Sequence, residues 1–127
     1  MRQKIITIVI SLLLIAAISV AEQVAVRIIV RRALEDTQAI MEDVRGGSLE
    51  EAAKKAHALD KAWDKQAKPL EMLVDHGSTD DVRYALSKLI AALEGGDRAG
   101  ALIYAGELEG GVEHVLERQE LTLENLL

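Results

Sequence analysis

The feature that most constrains the fold is a pair of similar segments, each opened by two consecutive glycines. "GGSLEEAAKKAHALDKAW" begins at Gly46, and "GGDRAGALIYAGELEGGV" begins at Gly95, forty-nine residues later. Glycine takes the left-handed conformation that ends a helix, and the following Ser48 or Asp97 can accept hydrogen bonds from the amides of the next helix. Ser48 with Glu51 also matches a capping box. The predicted turn residues are Gly46, Gly47, Gly95 and Gly96.

Apolar residues follow each glycine pair at the same spacing. When Gly46 is aligned with Gly95, these residues coincide at steps of four, three and four, which return to one face of a helix. One helical hairpin cannot bury its own apolar face, so two stacked hairpins are the smallest unit expected to be stable. The predicted core anchors are Leu59, Trp63, Leu89, Leu108 and Val112.

These turns predict four helices. The first extends from the membrane segment to about residue 45, and the others cover about residues 49–74, 79–94 and 98–125. Ser78 or Thr79 is expected to cap the third helix, with Asp80 and Asp81 near the positive end of its dipole. Pro69 is expected to kink or reset the second helix because it lacks an amide donor.

The composition favours helices over sheets. Phe is absent, Pro occurs once and aromatic residues make up 2%, whereas hydrophobic residues make up half of the chain. Cysteine is also absent, which excludes disulfides, thiolate metal sites and cysteine nucleophiles. That absence fits an extracytoplasmic protein.

The N-terminal segment is apolar enough to cross a membrane. The stretch "IITIVISLLLIAAISVA", from Ile5 to Ala21, has seventeen uncharged residues, the lower limit for a spanning helix. Two alternatives are a signal peptide cleaved after Ala21, where "SVA" fits the small-residue rule, and a core helix of a soluble protein. Because apolar residues continue beyond Ala21, an uncleaved anchor is favoured. The predicted fold is therefore all-α, with a transmembrane helix followed by two stacked antiparallel hairpins in a TPR-like array or a four-helix bundle.

Charge divides the chain into two predicted parts. Residues 1–32, a membrane anchor and juxtamembrane helix, carry five basic side chains and one acidic one, whereas residues 33–127, a helical-hairpin domain, carry ten basic and twenty acidic ones. The acidic domain argues against nucleic-acid binding. Basic residues nearly balance across the apolar segment, and the short N-terminal tail favours a single-pass cell-membrane protein with the domain outside.

Candidates for chemistry are few. A di-iron bundle needs Glu-x-x-His pairs, but no glutamate stands three positions before any histidine. No zinc-protease motif occurs either. One local cluster could coordinate a divalent ion, with Asp75, His76, Asp80 and Asp81 as the metal candidates. No catalytic residue and no cofactor are predicted.

The last helix is rich in glycine, which destabilises a helix interior by up to about 1 kcal/mol per residue relative to alanine. The continuing apolar period nevertheless predicts one unbroken helix. Gly106 and Gly110 have the small-xxx-small spacing of a close helix crossing.

From Trp63 to the terminal "LTLENLL" of residues 121–127, the chain resembles a family of small bacterial proteins, found in Clostridia and related Firmicutes, that is described as a domain of unknown function, DUF4363. The N-terminal membrane segment and the Asp75-His76 pair belong to the same resemblance. The resemblance implies a membrane-anchored helical domain and carries no activity, cofactor or catalytic residue.

These features predict a non-enzymatic module at the cell envelope, held in the membrane by Ile5–Ala21 and binding a protein partner. A homo-oligomer formed through the anchor or the last helix is a further expectation. The alternatives are a metal- or small-ligand-binding sensor that uses the Asp75 and His76 loop, and a secreted helical domain released at Ala21.

Overall fold

The computed structural model describes the backbone of residues 1–71 and 76–126 and the side chains of residues 1–71 and 77–118. Its four helices are α1 (Arg2–Arg45), α2 (Leu49–Glu71), α3 (His76–Glu94) and α4 (Arg98–Leu126). No strand occurs among the described residues. The prediction of an all-α fold is confirmed.

The four helices form a closed ring. Helix α1 packs against α2 and α4, and α3 packs against the same two helices from the other side. Because α1 contacts α4, the first and last helices close the arrangement instead of lying at the two ends of an open TPR-like stack. The architecture is an up-down-up-down four-helix bundle with both glycine turns at the same end.

The two glycine turns share one set of backbone hydrogen bonds. Gly47 and Gly96 have positive φ angles of 81° and 71°. In the first turn the Gly47 amide donates to the Val44 carbonyl at 3.1 Å and the Ser48 amide donates to the Asp43 carbonyl at 2.8 Å. The same pair of bonds recurs in the second turn, and together they define a Schellman motif.

The two caps that follow the turns differ. Asp97 Oδ1 accepts a hydrogen bond from the Gly100 amide at 2.9 Å, as a capping residue does. The predicted capping box of Ser48 and Glu51 is not formed, because the Ser48 amide already donates to the Asp43 carbonyl. Glu51 instead pairs with Lys54 Nζ at 3.1 Å.

Trp63 lies near the centre of the core, with 1% of its surface exposed. All five predicted anchors are buried, together with small residues such as Ala52 and Ala105 that let the helices approach closely. The core also contains Thr37, whose hydroxyl donates to the Ala33 carbonyl at 2.7 Å within α1. This bond satisfies the one hydroxyl that α1 buries among the described residues.

Helix α1 continues without a break from an exposed apolar stretch into the core. None of its apolar N-terminal stretch is buried by the rest of the chain. Beyond it, the face that packs into the core is formed by Val26, Val30, Ala33, Thr37, Ile40 and Val44. Burial thus starts at Val26, on the N-terminal side of the predicted domain boundary at residue 33. The exposed apolar stretch does not behave as the core helix of a soluble protein would.

The link between α2 and α3 differs from its prediction. Helix α3 begins at His76, so Ser78 and Thr79 lie in its first turn and are buried instead of capping it. Asp80 and Asp81 consequently fall beyond that turn. The Thr79 carbonyl accepts a hydrogen bond from Trp63 Nε1 at 3.4 Å, which fixes this turn against α2.

Helix α2 continues through Pro69 to Glu71. Pro69 therefore does not end the helix, since two helical residues follow it. The predicted end near residue 74 lies outside the described residues.

Candidate functional site

A groove of about 560 Å³ runs between the outer faces of α3 and α4. Its lining residues are Asp81, Tyr84, Ala85, Lys88, Glu107, Gly110, Gly111 and His114. On each helix the lining positions follow the spacing i, i+3, i+4 and i+7, so each helix contributes one stripe of its surface. We call this feature the α3/α4 groove.

Glycines open the α4 side of the groove. A Cβ atom at Gly106 or Gly110 would meet no other atom within 4 Å, whereas one at Gly111 would lie 3.5 Å from Val82 Cγ2. Gly106 and Gly110 therefore form no close crossing with another helix among the described residues. The buried stripe of α4 is carried by Ala101, Ala105, Leu108, Val112 and Val115, which turns Gly106 and Gly110 outward. Helix α4 is nevertheless continuous across all four glycines, as predicted.

We expect the glycines to respond to alanine with opposite signs. Gly106→Ala and Gly110→Ala should each raise the free energy of unfolding by roughly 0.5–1 kcal/mol, because alanine removes backbone freedom from the unfolded chain and meets no obstacle. Gly96→Ala should lower it by about 1–2 kcal/mol, because an L side chain is strained at φ 71°. Urea unfolding followed by circular dichroism measures all three variants. Equal effects at Gly96 and Gly110 would contradict the assigned conformations.

Charged groups of both signs line the groove. Lys88 Nζ lies 3.6 Å from Glu107 Oε2 and 5.8 Å from the centre of the Tyr104 ring. At His114, Nε2 accepts a hydrogen bond from Arg118 Nε at 3.3 Å. Because the Lys88 charge is matched by Glu107, Asp81 leaves the lining with a slight excess of negative charge.

Tyr84 adds an apolar surface at the edge of the groove, with 66% of the residue exposed. Among the described residues beyond α1, only Ile103 on α4 is another large hydrophobic side chain that is exposed to this degree. An aromatic ring beside paired charges suits contact with a protein surface. The lining contains no serine, threonine or cysteine that could act as a nucleophile.

The structure describes the side chains of only two of the four predicted metal candidates. Asp75 and the side chain of His76 lie outside the described residues, and of the other two only Asp81 lines the groove. No group of three His, Asp or Glu side chains that could hold a metal ion occurs in the described part of the chain. The predicted metal site in this loop stays a prediction. Elsewhere, His57 Nε2 lies 2.8 Å from Glu94 Oε1 and joins α2 to α3.

Sequence reasoning did not predict the groove, although one signal for it is present. Once Leu108 and Val112 are assigned to the core, Gly106 and Gly110 must lie on the outer face of α4. Glycine on an outer face gives no packing benefit and thus indicates a surface kept clear of side chains. The missing information was the rotation of α3 and α4 about their axes within this hairpin, which places Asp81 and Lys88 opposite the glycines.

Comparison with known families gives one match. The family described as Domain of unknown function (DUF4363) matches residues 24–126. No curated protein and no solved structure matches the chain. The match starts two residues before Val26, where α1 enters the core, so it contains the bundle and not the apolar segment that the sequence resemblance had included. Because it extends over most of the chain, this protein belongs to the DUF4363 family.

Proposed function

We propose that the protein is a non-enzymatic interaction module that is anchored in the cell membrane by a single pass and binds a protein partner in the α3/α4 groove. The observation that carries the proposal is the continuity of α1, whose exposed apolar stretch and buried core face belong to one helix. In this proposal the bundle lies on the outer side of the membrane.

This continuity makes the coupling between anchor and bundle rigid. A flexible linker would let the bundle move freely, whereas a helix without a break fixes its height and its orientation. Helix α3 begins at the membrane-proximal end, so Asp81 and Lys88 lie roughly 8–18 Å above that end, at 1.5 Å per residue. The groove is thus held at a set distance from the membrane, where a neighbouring membrane protein can reach it.

The chemistry of the groove indicates the kind of partner. Its acidic excess favours a partner segment that is basic or neutral, and Tyr84 offers an apolar contact beside those charges. The glycines leave room for the backbone or side chains of the partner. Position 110 in particular is occupied by glycine, which is less favourable than alanine in a helix, although the Cβ atom of alanine would fit there.

A position-specific crosslinker tests this surface. A photoreactive residue at Tyr84 is expected to form a discrete adduct in intact cells, whereas the same residue at Ala58, exposed on α2, should not. Gly110→Gln, which fills the groove without adding charge, should reduce the Tyr84 adduct at least several-fold. The same adducts from Tyr84 and Ala58, or an adduct that survives Gly110→Gln, would show that the groove is not the binding surface.

A further inference from the structure

Three arginines lie on α1 between the apolar stretch and the acidic bundle. Arg27, Arg31 and Arg32 are all exposed, and none forms an ion pair with another residue in the described ranges. They account for three of the five basic residues in the first thirty-two. Their charges are thus available to a partner outside the chain.

The helix geometry brings these side chains toward the membrane surface. Ile5–Ala21 extends about 25 Å along the helix, so a hydrocarbon core of about 30 Å ends about 5 Å beyond Ala21, and the headgroup layer, about 5–7 Å thick, begins there. At 1.5 Å per residue, Arg27 lies about 9 Å beyond Ala21 and Arg31 about 15 Å beyond it. Side chains on a helix lean toward its N-terminus, which here is the direction of the bilayer. A guanidinium group on a long side chain can therefore return to the phosphate layer.

Nearby acidic groups do not neutralise this cluster. Glu22 lies on its membrane side, and Glu35 and Asp36 lie above it. Burial raises the pKa of Asp36 above its ordinary value, and Glu35 adds to the rise while Arg32 opposes it. Because Arg32 forms no ion pair with Asp36, its hydrogen-bond donors stay available.

We propose that Arg27, Arg31 and Arg32 bind the phosphate groups of anionic phospholipids in the leaflet from which α1 emerges. Guanidinium groups suit phosphate because their planar donors match its oxygens in pairs. The acidic bundle would otherwise be repelled by an anionic surface, so the arginines hold its base against the headgroups. This inference rests on the membrane placement proposed above.

The test measures lipid selection by the full chain in bilayer nanodiscs that contain equal amounts of phosphatidylglycerol and phosphatidylcholine. Spin-labelled lipids give the relative association constant of the two lipids. A basic residue near an anionic surface changes binding by about fivefold. The triple variant Arg27→Gln, Arg31→Gln, Arg32→Gln should therefore lower the preference for phosphatidylglycerol at least about threefold, with a residual preference from basic residues at the other leaflet.

A matched triple, Lys54→Gln, Lys61→Gln, Lys65→Gln, removes the same charge from α2 and should keep the preference of the unmodified chain. An equal loss in both triples, or no preference in the unmodified chain, would overturn the inference. A chain that fails to enter the nanodisc refutes the membrane placement itself, whereas one that inserts without preference refutes only the role of the arginines.

Discussion

Replacing Trp63 by alanine is expected to lower the free energy of unfolding by about 3–5 kcal/mol, a large part of the 5–15 kcal/mol typical of a domain. The side chain is 1% exposed and is the largest in the core of the described residues. Its removal leaves a cavity between the helices, and the Thr79 carbonyl of α3 loses the hydrogen bond that Trp63 Nε1 donates. The variant should lose stability by both routes.

Trp63→Phe separates these two contributions. Phenylalanine keeps most of the buried apolar area and loses only the hydrogen bond to Thr79, which at 3.4 Å is long. We expect a loss of about 1–2 kcal/mol, well below that of the alanine variant. Urea unfolding of the full chain in detergent, followed by far-ultraviolet circular dichroism, measures both. A Trp63→Ala variant that unfolds at the same urea concentration as the unmodified chain would place Trp63 outside the core.

The helical architecture could be predicted from sequence because its signals are local. A glycine pair ends a helix through backbone conformation alone, and Gly47 and Gly96 do adopt positive φ angles. The core face of each helix follows from a spacing of three and four residues, which placed Trp63 and Leu108 correctly in the interior. Membership of the DUF4363 family was likewise indicated by residues that the match contains, and is confirmed.

The candidate site could not be predicted, because it depends on how α3 and α4 are rotated against each other within their hairpin. The closed ring places α4 beside α1 as well as α3, and no local spacing encodes that neighbour. Gly106 and Gly110 were assigned to a buried crossing because their spacing resembles one. The rotation of α4, set by Ala101 and Ala105 in the core, turns them outward.

The start of α3 shows a second limit of local signals. Ser78 and Thr79 are good caps by residue type, and a cap was expected at that point. Tertiary packing instead buries both residues, with the Thr79 carbonyl bonded to Trp63, and α3 extends back to His76. Capping preferences amount to about 1 kcal/mol, which the burial of a tryptophan exceeds.

Leu13→Arg is expected to prevent stable membrane insertion. Leu13 lies at the middle of Ile5–Ala21 and is 66% exposed, and an arginine at the centre of a spanning helix is about 3–4 kcal/mol less favourable than leucine. Folding of the bundle should not change, because none of this stretch is buried by it. The alkali-resistant membrane fraction should therefore fall strongly while the helical bundle remains.

Val24→Arg is the matched control, since it adds the same charge beyond the apolar stretch, where headgroups and water can solvate it.

Combined with Ser87→Cys, an exposed reporter on α3 in a chain without other cysteines, each variant can be labelled in intact cells by a membrane-impermeant maleimide. Labelled protein in the membrane fraction of Val24→Arg would place the bundle outside, whereas reaction only after lysis would place it inside. If Leu13→Arg stayed in the membrane as fully as Val24→Arg, the apolar stretch would not be the anchor. A chain recovered from the medium and shortened by its first twenty-one residues would identify that stretch as a cleaved signal. This readout is needed because a signal peptide and an anchor both depend on the apolar stretch, so Leu13→Arg affects both.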